Sequence, residues 1–76
     1  GMTERGFFVT LDHPYVEGMV SVDNMTDDFY EFREERMVFQ GKRRKKTFTI
    51  GQAITVAVAR VDLETRLIDF SLPPDQ

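Results

Sequence analysis

The chain has 76 residues, a hydrophobic content of 41% and a net charge of −3, values that describe one small domain able to bury about 60% of its unfolded surface. It contains no cysteine, which excludes disulfide bonds and thiolate zinc sites. No apolar run approaches the roughly 18 residues of a membrane span, and no basic leader precedes one, so we expect no membrane contact and a cytoplasmic location. Gly1-Met2 is typical of an affinity-tag remnant, and residues 1–5 are expected to lie outside the domain.

The first half of the chain contains two segments with the period-two alternation of strands. Residues 7–12 place apolar side chains on one face and leave Phe8 on the other, polar face. A proline turn follows, and residues 18–23 are predicted as a second strand. Thr26 and the two aspartates after it predict the cap of a short helical turn.

A longer strand is predicted over residues 32–40, with Met37 and Phe39 on the same side. A glycine and five consecutive basic residues then form a hairpin tip, and residues 47–50 return. The basic residues of this tip are Lys42, Arg43, Arg44, Lys45 and Lys46. Because the rest of the chain has thirteen acidic and five basic residues, the tip is either a localised contact for a polyanion or a solvated hairpin end that opposes edge aggregation.

The most informative stretch is 54–62, where the alternation changes parity. Ile54, Val56 and Val58 share one face, but the next bulky apolar residue is three positions on. Val61 joins that face only if one extra residue is inserted near position 59 or 60. A bulge of this kind bends a strand sharply enough to close a small barrel.

These segments together predict an all-β fold, a small Greek-key barrel with an extended hairpin arm. The last strand, 67–72, alternates regularly and is followed by two prolines that end the fold. The domain is expected to cover residues 6–72, with residues 73–76 as a tail.

Residues suited to catalysis or metal binding are scarce. His13, the single histidine, lies in a turn with no serine or cysteine placed as its nucleophile. Asp23, Asp27 and Asp28 lack the longer ligand series and the turn glycine of a calcium loop. A glycine-rich phosphate loop is also missing from the sequence. We therefore expect no catalytic residue, no metal and no cofactor.

Phe8 is the strongest candidate for a binding residue because the alternation forces its ring outward. An outward aromatic on a barrel strand can stack on a nucleobase, which contributes about 1–3 kcal/mol per base. The alternative is a satellite apolar contact covered by a loop. The pattern alone leaves both interpretations open.

Two sets of residues carry a family resemblance. The first is Gly6-Phe7-Phe8-Val9, Glu17-Gly18-Met19-Val20-Ser21-Val22, and Gly51-Gln52 with Val61-Asp62 and residues 66–72. This set resembles the S1 RNA-binding domain, a small barrel of the OB type. The second is Asp27-Asp28-Phe29-Tyr30-Glu31-Phe32, Phe39-Gln40-Gly41 and Phe48-Thr49-Ile50-Gly51. It resembles the S1 domain near the C-terminus of bacterial ribonuclease R, a processive 3′→5′ exoribonuclease.

The resemblance implies single-stranded RNA as the partner and assigns residues to the RNA-binding surface. Phe8 corresponds to the outward aromatic that stacks on RNA, and Asp62 and Arg66 correspond to an acidic and a basic residue on the same surface. Arg5 and Ser21 stand where the family has an aromatic residue and a histidine. These two departures shift the expected affinity toward the basic hairpin tip.

The exonuclease that the resemblance indicates carries its catalytic acids in a separate domain, so this chain is expected to hold RNA without cleaving it. Two alternatives remain. One is a protein-interaction barrel that uses outward side chains such as Phe8 and Met19, and the other is an S1 module of a translation or transcription factor. A strong salt dependence of RNA binding would favour nucleic acid over protein as the partner.

The first strand of the barrel is predicted to be truncated. S1 domains begin with a full strand before the Gly-x-Phe-Val turn, whereas only residues 1–5 precede that turn here. A truncated first strand leaves unpaired N–H and C=O groups on its neighbours. We therefore predict self-association of the chain through an open sheet edge.

Overall fold

The computed structural model describes residues 2–73, which form strands joined by turns and two short 3₁₀ turns. The strands are β1 (Met2–Thr3), β2 (Gly6–Asp12), β3 (Tyr15–Ser21), β4 (Tyr30–Arg33), β5 (Val38–Gly41), β6 (Thr47–Thr49), β7 (Ala57–Asp62) and β8 (Leu67–Ser71). The predicted all-β class is confirmed. Most of the predicted tail, 73–76, lies outside the described residues.

The strands form two sheets. One has five strands in the order β1-β2-β3-β8-β7, and the other has three in the order β4-β5-β6. All pairs are antiparallel except β3 with β8, where Gly18 lies beside Ile68 in a parallel ladder. A Cβ at Gly18 would lie 2.2 Å from the ring of Phe70, so the glycine is what allows the last strand to pack this closely.

A cluster of phenylalanines joins the two sheets. The ring centroid of Phe7, on β2, lies 5.8 Å from that of Phe39 and 5.6 Å from that of Phe48. Phe39 and Phe48 both belong to the three-stranded sheet. The buried apolar residues are Met2, Phe7, Val20, Met25, Phe39, Phe48 and Phe70. These aromatic contacts connect the two sheets within one core.

The predicted bulge is present in β7. Val58 pairs with Phe70 and Arg60 pairs with Asp69, so Ala59 is the extra residue. The bulge returns Val61 to the side of the sheet that carries Val58, as expected. However, Val58 and Val61 are 62% and 54% exposed, so their predicted place in the core is wrong.

The physical reason is an uncovered edge. In the described part of the chain β7 pairs only with β8, so nothing covers the inward side chains along its outer side. On the opposite flank, β1 pairs only Met2 with Phe7 and Thr3 with Gly6. The rest of β2, Phe8–Asp12, therefore has a free edge, which borders a cleft lined by Val9, Leu11 and Ile54 among other residues.

Residues 1–5 are more closely tied to the domain than the sequence indicated. Met2 is buried in the core, and its strand, β1, is two residues long. The backbone carbonyl of Arg5 accepts a hydrogen bond of 2.8 Å from the N–H of Val22. Met2 and Arg5 therefore contact the segments that follow them.

Two predicted elements differ in the structure. The expected strand 32–40 is interrupted by a 3₁₀ turn, Glu34–Arg36, and by Met37 with a φ of 52°, so Met37 is not on a strand with Phe39. The helical turn expected from Thr26 is absent from the described residues. A 3₁₀ turn instead forms earlier, at Val22–Asn24, and directly follows β3.

Candidate nucleic-acid interface

Phe8 lies on the outer face of the five-stranded sheet, on β2 beside its free edge. It pairs with Met19, which lies beside Asp69, which in turn pairs with Arg60. These four side chains form a row across β2, β3, β8 and β7 on the side away from the phenylalanine core. Phe8 is 54% exposed, which confirms that its ring points outward.

Arg5 and Ser21 lie together at one end of this outer face. Gly6 pairs with Ser21 across β2 and β3, and Arg5 immediately precedes Gly6. The hydroxyl of Ser21 accepts a hydrogen bond of 3.2 Å from the N–H of Asp23, which caps the first 3₁₀ turn. Arg5 is exposed, so its guanidinium is available at the border of the face.

Asp62 and Arg66 lie at the opposite end, in the turn between β7 and β8. The Asp62 carboxylate accepts hydrogen bonds of 3.3 Å and 3.0 Å from the N–H groups of Thr65 and Glu64. These two bonds hold the pKa of Asp62 below its usual value. Arg66 closes the turn with a φ of 60°. The geometry gives Asp62 the role of ordering the turn that presents Arg66.

Arg60 belongs to the outer face, although the sequence pattern did not single it out. Its guanidinium lies 3.5 Å from the carboxylate of Asp62 and 3.7 Å from that of Asp69. Exposed pairs of this kind contribute little to stability and can exchange partners with a phosphate. The sequence signal was the bulge itself, because the extra residue at Ala59 is what turns Arg60 to the same side as Phe8.

The basic run forms the loop 42–46 between β5 and β6, and we call these residues the basic loop. The side chain of Asp28 fixes the backbone of this loop by hydrogen bonds. Its buried carboxylate accepts hydrogen bonds of 2.7 Å, 3.0 Å and 2.8 Å from the N–H groups of Phe29, Arg43 and Arg44. Burial would raise the pKa of Asp28, but these hydrogen bonds and the charge of Arg43 outweigh it and lower the pKa. Gly41 is required at the base of the loop because a Cβ there would lie 2.4 Å from Asp28.

Part of the loop's charge is balanced by neighbouring carboxylates. The ammonium of Lys42 lies 2.9 Å from Glu31, and the guanidinium of Arg44 lies 3.6 Å from Asp27. The hydrogen bond from Lys42 lowers the pKa of Glu31. Lys46 lies 5.5 Å from the centre of the Phe48 ring. The loop is therefore an ordered cationic surface and not a loose hairpin end.

Metal ligands and membrane spans are not found in the described part of the chain. Within residues 2–73 no three side chains of the metal-binding types are grouped to hold an ion. The same residues include no helix long and apolar enough to cross a membrane.

An all-β domain that presents an outward aromatic ring and cationic side chains on one sheet face, together with an ordered basic loop, has the features of a nucleic-acid-binding domain of the OB type. The family is equally clear. The chain belongs to the S1 RNA-binding domain family, whose model matches residues 1–72.

Several of the relatives are ribonuclease R proteins. The chain is 42% identical over 67 residues to ribonuclease R of Ureaplasma parvum and 35% identical over 71 residues to that of Escherichia coli. These alignments cover 88% and 93% of this chain and 9% of each relative. The chain therefore spans about a tenth of the length of the curated relatives it matches.

Solved structures agree with this comparison. The apo form of Mycoplasma genitalium RNase R matches with a TM-score of 0.85 and 25% identity, over 96% of this chain and 11% of that one. The same enzyme in complex with ribose methylated single-stranded RNA matches with a TM-score of 0.84. The predicted resemblance to the S1 domain of ribonuclease R is confirmed.

Proposed function

We propose that this domain binds single-stranded RNA through the outer face around Phe8 and through the basic loop. It holds the strand in the cytoplasm for a catalytic domain elsewhere in a ribonuclease R-type 3′→5′ exoribonuclease, and does not itself cleave RNA. The observation that carries the proposal is the exposed ring of Phe8 on the outer face. Membership of the S1 family and the RNA bound to the solved relative support it.

The two parts of the surface have different tasks. The ring of Phe8 offers a flat π-face on which any nucleobase can stack. Arg5 and Arg66, at the two ends of the face, are placed to contact phosphates on either side of a stacked base, with Asp62 ordering the turn at the second end. The basic loop adds charge, which attracts RNA of every sequence.

Replacing Phe8 by Ala should weaken binding of a single-stranded oligouridine by about 5- to 150-fold, which corresponds to the loss of about 1–3 kcal/mol of stacking. Fluorescence anisotropy with a labelled strand measures this change. The free energy of unfolding should stay within about 0.5 kcal/mol of the original because the ring is on the surface.

The matched control is Phe8→Tyr, which keeps an aromatic face and should bind almost normally. If Phe8→Ala instead unfolds the domain, or leaves affinity unchanged, Phe8 is not a stacking platform. Binding that ignores salt concentration would favour the protein-interaction hypothesis, since phosphate contacts always release counterions.

The open edges support a second proposal, that two copies of this chain associate. The outer edge of β7 presents unpaired backbone groups together with the exposed side chains of Val58 and Val61. If the β7 strands of two copies pair antiparallel, Val58 of one copy lies opposite Val61 of the other. Both backbone groups and apolar surface then leave water, which favours the pair by about 25 cal/mol for each Å² of apolar area buried.

Sedimentation velocity at high micromolar concentration should therefore detect a dimer. The double change Val58→Lys and Val61→Lys should give a monomer, because lysine on an edge strand opposes pairing. The change Leu63→Lys, in the exposed turn beyond β7, adds the same type of charge away from the edge and should leave the dimer intact. A species with the mass of one chain, for the unaltered sequence, would rule the association out.

A further inference from the structure

Phe29 is the most exposed phenylalanine among the described residues, at 71%. It lies in the segment just before β4, next to the basic loop, whereas Phe8 lies on β2 of the five-stranded sheet. Its ring contributes nothing to the core cluster that holds the two sheets together. An aromatic ring kept in water beside a cationic loop therefore lacks a structural explanation.

The backbone of Phe29 is fixed to the basic loop. Its N–H donates to the carboxylate of Asp28 at 2.7 Å, and its carbonyl accepts from the N–H of Lys42 at 2.9 Å. The same carboxylate accepts from the N–H groups of Arg43 and Arg44. The ring and the cations are thus presented by one hydrogen-bonded unit, so little further ordering is needed when a ligand binds.

The surroundings of the ring match the chemistry of a nucleotide. A cleft beside it is lined by Phe29, Tyr30 and Arg43, and also by Asp23, Asp27 and Asp28. Two of these carboxylates already have cationic or N–H partners, since Asp27 pairs with Arg44 and Asp28 accepts from the backbone of the basic loop. A base can stack on an exposed aromatic face, while a guanidinium contacts a phosphate or stacks in its own right. The excess of positive charge in the loop favours a polyanion over an uncharged or basic polypeptide.

We propose that Phe29 and Arg43 form a second nucleotide subsite, separate from Phe8, in which the ring of Phe29 stacks on a base of single-stranded RNA and Arg43 contacts a phosphate. This inference rests on the proposed function and extends it, since the basic loop would then contribute stacking as well as charge. The RNA strand would be held at two points, one on the outer face of the five-stranded sheet and one beside the basic loop.

The test compares Phe29→Leu with Phe29→Tyr, using a labelled oligouridine of about 12 nucleotides, a length within the usual site size of such domains. Leucine keeps apolar bulk but removes the π-face, so we expect at least about a fivefold loss of affinity. Tyrosine keeps the face, and its affinity should remain within about twofold of the original. Ile50→Ala, at an exposed apolar residue that follows β6 at the end of the sheet away from the basic loop, is the control and should change nothing.

Two further measurements separate stacking from charge and from general damage. Phe29→Leu should leave the dependence of affinity on salt unchanged, whereas Arg43→Gln should flatten its slope by about 0.7, the value for one phosphate of a single strand. The losses caused by Phe8→Ala and Phe29→Leu should add in the double variant, because separate sites contribute independently.

The outcomes distinguish the inference from the function on which it rests. If the original chain binds RNA and Phe8→Ala weakens it while Phe29→Leu does not, the second subsite is overturned and the proposed function stands. A double variant no weaker than the worse single variant would overturn the separateness of the two sites. If the original chain binds no RNA at all, both proposals fail together.

Discussion

Neutralising the basic loop should lower the affinity for single-stranded RNA of every sequence and flatten its dependence on salt. The change replaces all five basic residues of the loop, 42–46, by glutamine. For each phosphate of a single strand that the protein no longer neutralises, the slope of log affinity against log salt falls by about 0.7. The slope should therefore fall by up to about 3.5 if every cation of the loop contacts a phosphate, and affinity at low salt should fall by orders of magnitude.

The fold should survive this change because Asp28 holds the loop through backbone N–H groups, which glutamine retains. Titrations with homopolymers of different bases, each at several salt concentrations, measure both effects. Glu31→Gln is the opposing control, since it releases Lys42 from its ion pair and should strengthen binding. An unchanged salt slope would show that the loop is only a solvated surface.

Replacing Phe39 by Ala should remove most of the stability of the domain. Phe39 is fully buried, and its ring centroid lies 5.8 Å from that of Phe7 and 5.2 Å from that of Phe32. Truncating a buried phenylalanine costs about 3–5 kcal/mol, while small domains lie toward the lower end of the usual range of about 5–15 kcal/mol. We expect a much lower urea midpoint, and loss of RNA binding together with the fold.

Phe29→Ala is the matched control for this experiment, because it removes the same atoms from an exposed site. Its urea midpoint should hardly move. Urea denaturation followed by circular dichroism gives both values. A cost below about 1 kcal/mol for Phe39→Ala would mean that the phenylalanine cluster does not join the sheets.

Local alternation was sufficient to predict much of the five-stranded sheet. The period of two placed Phe7 inward and Phe8 outward, and the change of parity predicted a bulge near position 59 or 60, where the structure has it. These features depend on neighbouring residues along one strand. The exposure of Val58 and Val61 could not be predicted in this way, since it depends on whether another strand covers the edge of β7.

The residues of the candidate site likewise differ in whether local alternation could predict them. The outward position of Phe8 followed from the sequence pattern, whereas the assignment of Arg5, Ser21, Asp62 and Arg66 came from the family resemblance and remains a prediction. Arg60 was missed because its orientation depends on the register of β7 with β8.

Phe29 was missed because its position depends on hydrogen bonds between segments far apart in the chain. The carboxylate of Asp28 reaches the backbone of Arg43 and Arg44, and Lys42 donates to the carbonyl of Phe29. Residue spacing does not reveal such contacts.

The parallel ladder between β3 and β8 has a consequence for how the domain folds. The β2–β3 hairpin and the meander of β4, β5 and β6 join neighbouring segments, so they can form early and fast. Val20, in contrast, pairs with Phe70 near the other end of the chain. A ribosome must therefore release the last strand before the core can close, and until then the two early units expose their apolar faces. The slow step in folding should be this final closure, which joins the two ends of the chain.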